Sequence, residues 1–272
     1  MADNRAIGIF DSGLGGLTVV REIIKLLPNE NIVYFGDTGR VPYGTRSRDT
    51  INKYALQDER FLLSHNVKLI VAACGTVSSV AADTANSLPV PFVEVVSHSV
   101  NAAVKATKNG KIGVLATSAT ISSGAHKKQI LNLLPDAQVI ESAGTLLVPI
   151  VEEGWTNADN TVAFETLKRY LLPMIEAGVD TLILGCTHFP VLSDIIAKIL
   201  GDKVTLINMG VSTANAVKEM LESSNKLNDG VIVESHKFFV SDKTESFNKT
   251  ANILIGNYNK NFNVEQVDIE KV

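Results

Sequence analysis

Val179-Asp-Thr-Leu-Ile-Leu-Gly-Cys-Thr-His-Phe-Pro190 is the stretch whose reading decides the fold. A short apolar run ends in Gly185 and then presents Cys186, Thr187 and His188 before Pro190. The residues that follow, VLSDIIAKIL from Val191, carry apolar positions at helical spacing. The pattern predicts a buried strand, a tight polar turn and a helix. In open α/β sheets such turns lie at the carboxyl ends of strands, where ligands bind. The chain holds 2 cysteines, and the other sits in a stretch of the same layout, Val67-Lys-Leu-Ile-Val-Ala-Ala-Cys-Gly-Thr-Val77. Two thiols in two matching turns are the feature to be explained.

Outward from these turns, short strands alternate with longer helical patterns, the mark of an α/β protein. Ala6-Ile-Gly-Ile-Phe10 reads as a strand running into Asp11-Ser-Gly-Leu-Gly-Gly16, and helical spacing takes over from Leu17. A strand follows over 31–35, then a Gly-rich loop, Gly36-Asp-Thr-Gly-Arg-Val-Pro-Tyr-Gly44. Helices are expected over 47–65 and 77–86, with a strand over 69–72 between them. A second series starts near residue 93, with helices over 97–108, 125–134 and 159–175 and strands over 111–115, 138–142 and 181–184. Strands over 204–208, 237–240 and 263–267, with helices over 211–221 and 244–254, complete the pattern. The two series echo each other: Ile7-Gly8 corresponds to Ile112-Gly113, Ile32-Val33 to Val139-Ile140, and Cys74 to Cys186. This reads as a duplicated α/β unit with the two cysteine turns around a pseudo-twofold axis.

Composition excludes several classes. The chain has 272 residues, 45% hydrophobic and 20% charged, with a formal net charge of -4, so an ordinary globular core is expected. It has no polybasic run to hold nucleic acid or an anionic membrane. It has no apolar run of the ~20 residues needed to span a bilayer and no export signal at its start. A cytoplasmic location with free thiols follows as the expectation.

A lone cysteine is more often a small buried hydrophobe than a catalyst. Each of these two, however, ends a buried strand and precedes a helix, facing the positive end of a helix dipole. That setting lowers a thiol pKa, so a reactive thiolate near neutral pH is expected at both turns. The absence of C-x-x-C and of ligand spacing among the 5 histidines argues against zinc. His188 is either a solvated turn residue or a proton partner for Cys186. Asp11 serves equally well as a helix cap or as a site carboxylate. Glu152 has solvation as its default, and Arg40, Tyr43 and Gly44 lie on a strand-end loop of the kind that touches ligands. The glycines of 11–16 do not meet the dinucleotide fingerprint, since Thr18 stands at its third position.

Taken together, Phe10-Asp-Ser-Gly-Leu-Gly-Gly-Leu-Thr-Val19, Tyr34-Phe-Gly-Asp-Thr38, Val41-Pro-Tyr-Gly44, Ala73-Cys-Gly-Thr76 and Leu184-Gly-Cys-Thr-His-Phe-Pro190 resemble the bacterial glutamate racemases of the aspartate/glutamate racemase family. The resemblance covers nearly the whole chain in order. It implies two similar doubly wound α/β domains of Rossmann-like or flavodoxin-like type, one from 1–97 plus 207–272 and one from 98–206, with the active site in the cleft between them. It implies a cofactor-independent racemase, expected as a homodimer, with no metal and with small-molecule glutamate as its partner. The product D-glutamate would serve peptidoglycan. Cys74 and Cys186 match the two bases on opposite faces of the substrate α-carbon, Cys186 acting first on L-glutamate. Asp11 matches the carboxylate that assists Cys74, and Glu152 and His188 match the groups that assist Cys186. Substrate contacts carry over to Asp11, Ser12, Tyr43, Gly44, Gly75, Thr76, Thr187 and His188, with Thr117 and Thr120 as further candidates. The chain departs from the family at Gly75, where Asn is usual. A two-thiol racemase acting on aspartate or another amino acid is the nearest alternative. A thiol hydrolase using Cys186 and His188, or a two-domain binding protein, are alternatives of a different class.

Overall fold

The computed structural model describes residues 2–230, 236–245, 247–256 and 263–271. The first series consists of β1 (Ile7–Asp11), α1 (Leu17–Leu26), β2 (Ile32–Gly36), α2 (Arg48–Ser64), β3 (Leu69–Ala72), α3 (Gly75–Val80) and β4 (Phe92–Glu94). The second consists of α4 (Val95–Ala106), β5 (Lys111–Ala116), α5 (Ser118–Ser123), α6 (Ala125–Leu133), β6 (Gln138–Ala143), α7 (Leu147–Glu152), α8 (Thr161–Ala177), β7 (Thr181–Gly185), α9 (Ser193–Leu200) and β8 (Thr205–Asn208). The chain then adds α10 (Met209–Ser223), β9 (Lys237–Val240), α11 (Phe247–Ile255) and β10 (Val264–Gln266). The expected helix over 244–254 thus starts later, at Phe247, and Ser246 lies outside the described residues.

Two parallel sheets result, in the orders β10-β9-β2-β1-β3-β4 and β6-β5-β7-β8. The second sheet repeats the β2-β1-β3-β4 part of the first, a doubly wound order in which the strand order reverses between the first and third strands of each series. The repetition extends to register. Ile7 pairs with Ile32 on one side and Leu69 on the other. Ile112 pairs in the same way with Val139 and Thr181. These are the correspondences that the sequence echo gives, residue for residue. Helices cover both faces of each sheet, so β1, β3 and β7 are buried along their whole length. One apolar core joins α1 and the α1 face of the first sheet to α8, α9 and the facing side of the second, with Leu17, Ile23, Leu171 and Leu184 among its members.

Local chemistry explains where elements depart from expectation. The helix expected over 77–86 ends at Val80 and gives way to a 3-10 turn over Ala82–Ser87. Within it Ser78 and Ser79 donate back to the carbonyls of Cys74 and Gly75, a competition that weakens a helix. The helix expected from Val191 starts at Ser193, after a 3-10 turn over Phe189–Leu192 that carries Pro190. The two expected domain junctions fall inside elements, 97/98 within α4 and 206/207 within β8, which pairs along β7.

At the pole away from the thiols, Lys68 leads into β3 with its ammonium fully buried. Its Nζ lies 2.6 Å from Glu30 Oε2 and donates to the carbonyls of Asp3 (2.6 Å) and Lys226 (2.8 Å). Glu30 Oε1 accepts from the Asn228 amide at 2.8 Å. Removing one partner of such a buried pair leaves an uncompensated charge. Lys68→Met is therefore expected to lower unfolding stability by roughly 3–5 kcal/mol; a urea midpoint equal to wild type would contradict this.

Candidate active site

Ligand sites in doubly wound sheets form outside the carboxyl ends of the strands, at the point where the strand order reverses. Here both sheets turn that point toward the same place. Asp11 ends β1 and Cys74 follows β3, while Thr117 follows β5 and Cys186 follows β7. The two thiol turns lie against each other. A Cβ added to Gly75 would come 2.9 Å from the Gly185 carbonyl oxygen. A side-chain amide at residue 75 therefore needs the turns to be further apart than they are.

Cys74 caps α3 and is 5% exposed, and its thiol donates to the Ser12 hydroxyl at 3.4 Å. Burial, reinforced by the charge of Asp11, pushes this thiol up to about 12, although Ser12 and the backbone N–H groups of Val77 and Ser12 act in the opposite direction. This corrects the expectation of a depressed pKa: α3 is a single short piece of helix, and its donors do not outweigh desolvation. Asp11 is likewise raised by burial, against His188 and the N–H groups of Gly16, Gly13 and Ser12. Its Oδ2 accepts from Gly13 at 3.1 Å, and its Oδ1 is buried with no partner among the described residues.

Around Cys186 three groups stand in line. The sulfur is 3.9 Å from His188 Nδ1, and His188 Nε2 is 3.2 Å from Glu152 Oε1. Burial disfavours an imidazolium here, but the hydrogen bonds to Cys186 and Glu152 outweigh it and raise His188 to about 10. His188 therefore presents a cation to the sulfur at neutral pH. Glu152 is the last residue of α7, half-exposed to solvent while its carboxylate reaches His188. The two thiols stand in unlike environments, one beside a carboxylate and one beside a cation.

From the first thiol turn toward α5 runs a row of hydroxyls. Thr76 Oγ1 is 3.4 Å from Thr117 Oγ1, which donates to Thr120 Oγ1 at 3.0 Å and caps α5. Gly44 approaches this row, since a Cβ there would lie 4.0 Å from Thr117. Tyr43 does not offer its side chain. Its ring is buried and its hydroxyl is held by Asp37 and, at 3.1 Å, by Asp58. Contact from this residue is left to its main chain. Arg40, expected near ligand, instead pairs with Asp37 (2.6 Å) and Asp58 (3.2 Å) and stacks 4.1 Å over Tyr54. One hydroxyl hydrogen serves only one of two carboxyl groups, which agrees with Asp58 being held well above the carboxylate range by burial and Asp37. This cluster anchors the loop that carries Gly44.

Two residues, one in the glycine loop and one in the first turn of α1, matter beyond what their sequence context shows. Gly15 packs against the second thiol turn, where a Cβ would fall 2.2 Å from Thr187 Oγ1 and 2.6 Å from His188 Nδ1. Gly15 is not among the glycines of positive φ, so close approach and not backbone freedom demands it. Thr18 donates its hydroxyl to the Thr187 carbonyl at 2.8 Å. Among the described residues no group of three or more His, Cys, Asp or Glu forms a metal cluster, and no helix is long and apolar enough to cross a membrane.

Comparison with known proteins adds an independent line. The family model described as Asp/Glu/Hydantoin racemase matches residues 7–217. The glutamate racemase of Geobacter metallireducens is 43% identical over 267 residues, covering 98% of this chain and 97% of its own. The glutamate racemase of Syntrophus aciditrophicus is 41% identical over 251 residues, 92% of each chain. Among solved structures, that of glutamate racemase from Francisella tularensis in complex with D-glutamate superposes with a TM-score of 0.91 at 34% identity, covering 99% of this chain and 100% of that one.

Proposed function

The chain belongs to the Asp/Glu/hydantoin racemase family, and from that premise we propose that it interconverts L- and D-glutamate by proton transfer between two thiols. The observation that carries this reading is the abutment of the two cysteine turns, each with its own ionisable partners. Inverting an α-carbon requires a proton taken from one face and a proton delivered to the other. One sulfur must start as thiolate and the other as thiol, and the reverse reaction exchanges their roles. No cofactor is assigned a step.

The roles follow from the chemistry of each group. Asp11 has an oxygen without a partner among the described residues and a negative charge when ionised, which suits an α-ammonium. The hydroxyls of Ser12, Thr76, Thr117 and Thr187 suit a carboxylate, as do the first-turn N–H groups of α3. His188, kept cationic by its hydrogen bonds to Cys186 and Glu152, sets a positive charge against the Cys186 sulfur throughout the proton transfer. Cys74, raised by burial and Asp11, suits the acid role in the free enzyme. The α-proton is far less acidic than a thiol, so the carbanion-like transition state depends on donors already in place around the carboxylate. The two-domain arrangement with the site in its cleft would exclude water and strengthen those contacts. Glutamate is favoured over aspartate because the relatives of highest identity above carry that name. A cytoplasmic role supplying D-glutamate to peptidoglycan, and a homodimer, complete the reading.

Racemisation followed by circular dichroism, with α-proton exchange in D2O followed by NMR, tests it. Both glutamate enantiomers are expected to racemise and to take up deuterium at the α-carbon. Turnover of aspartate alone, or an acyl-enzyme on Cys186 without α-exchange, would overturn it.

A further inference from the structure

The 3-10 turn that follows Cys186 has a gap in its hydrogen bonding. Phe189 N donates to the Cys186 carbonyl at 3.1 Å and Val191 N donates to the His188 carbonyl at 3.2 Å. The carbonyl between these two acceptors, that of Thr187, would take its bond from residue 190. Residue 190 is proline, which has no N–H to give. A buried carbonyl left in that condition costs about 1–3 kcal/mol, so a donor from elsewhere is needed.

Thr18 supplies it. The residue lies in the first turn of α1, 1% exposed, and its hydroxyl reaches the Thr187 carbonyl at 2.8 Å. The other oxygen near that hydroxyl is the Gly15 carbonyl at 2.9 Å, which already accepts from the Thr18 backbone N–H at 3.0 Å. Of the two acceptors within reach, the Gly15 carbonyl already has a donor and the Thr187 carbonyl has no backbone donor in its turn, so the hydroxyl hydrogen meets the greater need at Thr187. This bond crosses from the series that carries Cys74 to the turn that carries Cys186. It fixes the main chain on which the Cys186 sulfur and the His188 ring are both mounted.

We propose that Thr18 is a positioning residue for the racemisation reaction, setting the Cys186–His188 turn through the carbonyl that Pro190 leaves without a donor. The kinetic consequence rests on the racemase reading above; the hydrogen bond does not. Thr18 touches neither sulfur, and its effect passes through Thr187. Misplacing a catalytic base by about 1 Å through a change outside the reacting groups costs about 10²-fold in rate. The effect belongs to kcat more than to KM, because, of the hydroxyls that suit the substrate carboxylate, only that of Thr187 lies on this turn, while those of Ser12, Thr76 and Thr117 lie on other elements.

The experiment uses four variants of the full chain: T18V, T18S, P190A and T18V/P190A. T18V keeps the shape of threonine without its hydroxyl and is expected to lose about 10²-fold in kcat with little change in KM. T18S keeps the hydroxyl and is expected to retain wild-type kcat. P190A gives the turn its own N–H at residue 190, so the double variant is expected to recover most of the kcat lost by T18V. A cavity or folding defect at residue 18 predicts no such recovery. Carbonyl 13C NMR on threonine-labelled protein reads the bond at Thr187 directly, with a shift in T18V reversed in T18V/P190A. If wild type racemises and T18V matches it, or if P190A fails to restore T18V, the positioning role is wrong. If wild type does not racemise glutamate, the racemase reading fails, while the NMR result still decides the bond.

Discussion

Cys74→Ala and Cys186→Ala are each expected to cut racemisation of glutamate by roughly 10²–10⁴-fold or more, the worth of a positioned acid or base, in either direction. A one-base mechanism would spare one of them, because a single group that picks up and returns the proton needs only one thiol. Full activity in either variant would therefore end the two-base scheme. The two losses are not expected to look alike in exchange with solvent. A variant that keeps one thiol can still remove the α-proton from the enantiomer whose proton faces it. On the family resemblance Cys74→Ala retains exchange from L-glutamate and Cys186→Ala retains it from D-glutamate. Enantiomers have equal free energy, so kcat/KM must be the same in both directions at every pH. The unlike settings of the thiols, Cys74 raised to about 12 and Cys186 beside a histidine raised to about 10, can therefore show only in kcat and KM separately. In α-deuterated substrates they show as isotope effects that differ between the two enantiomers.

The local pattern around each cysteine does not carry that asymmetry; only His188, two residues after Cys186, and the family resemblance, which pairs Asp11 with Cys74 and Glu152 and His188 with Cys186, pointed to it. Both cysteines occupy the same local pattern, an apolar run followed by a thiol and a helical stretch, and the pattern predicts the same lowered pKa for both. Apart from His188, the groups that separate them come from elsewhere in the chain: Asp11 and Ser12 from β1 and the loop after it, Glu152 from the end of α7. What was legible is what periodicity and spacing encode. The strands and the duplicated order followed from apolar runs that repeat with their cysteines, and the pairing register of the fold repeats along the same correspondences. Helix limits near the site were less so. At Ser193 the limit is moved by Pro190, and at Val80 by serine hydroxyls competing for backbone carbonyls. Tyr43 shows the same division. Its place on a strand-end loop is visible in the sequence, but the direction of its ring depends on two buried aspartates that only the folded chain brings to it.

Gly15→Ala is the second substitution with a large expected effect, and its sign has to be decided between two opposing terms. Gly15 lies just before α1 with φ outside the left-handed region, so the backbone accepts alanine. Where the backbone accepts alanine, replacing a glycine favours the folded state by about 0.4–1 kcal/mol through the lost freedom of the unfolded chain. Against this, the new methyl would sit 2.2 Å from Thr187 Oγ1, 2.6 Å from His188 Nδ1 and 2.7 Å from His188 Cε1. The threonine side chain can rotate away, but the imidazole cannot do so freely, because Cys186 lies on one side of it and Glu152 on the other. Relief then comes from tilting the ring off the sulfur or from moving the two series apart at the thiol turns. Either displacement spoils the alignment of the base with the α-proton, for which about 10²-fold in kcat is the expected loss. Overall stability need not fall with it, since the methyl is strained against a turn and not against a strand of either sheet. G15A is therefore expected to unfold near the wild-type urea midpoint while losing about 10²-fold in kcat toward both enantiomers. A fully active G15A would mean that the two series are held together loosely enough at this point to admit a methyl group. The close approach of the glycine loop to His188 would then have no part in catalysis.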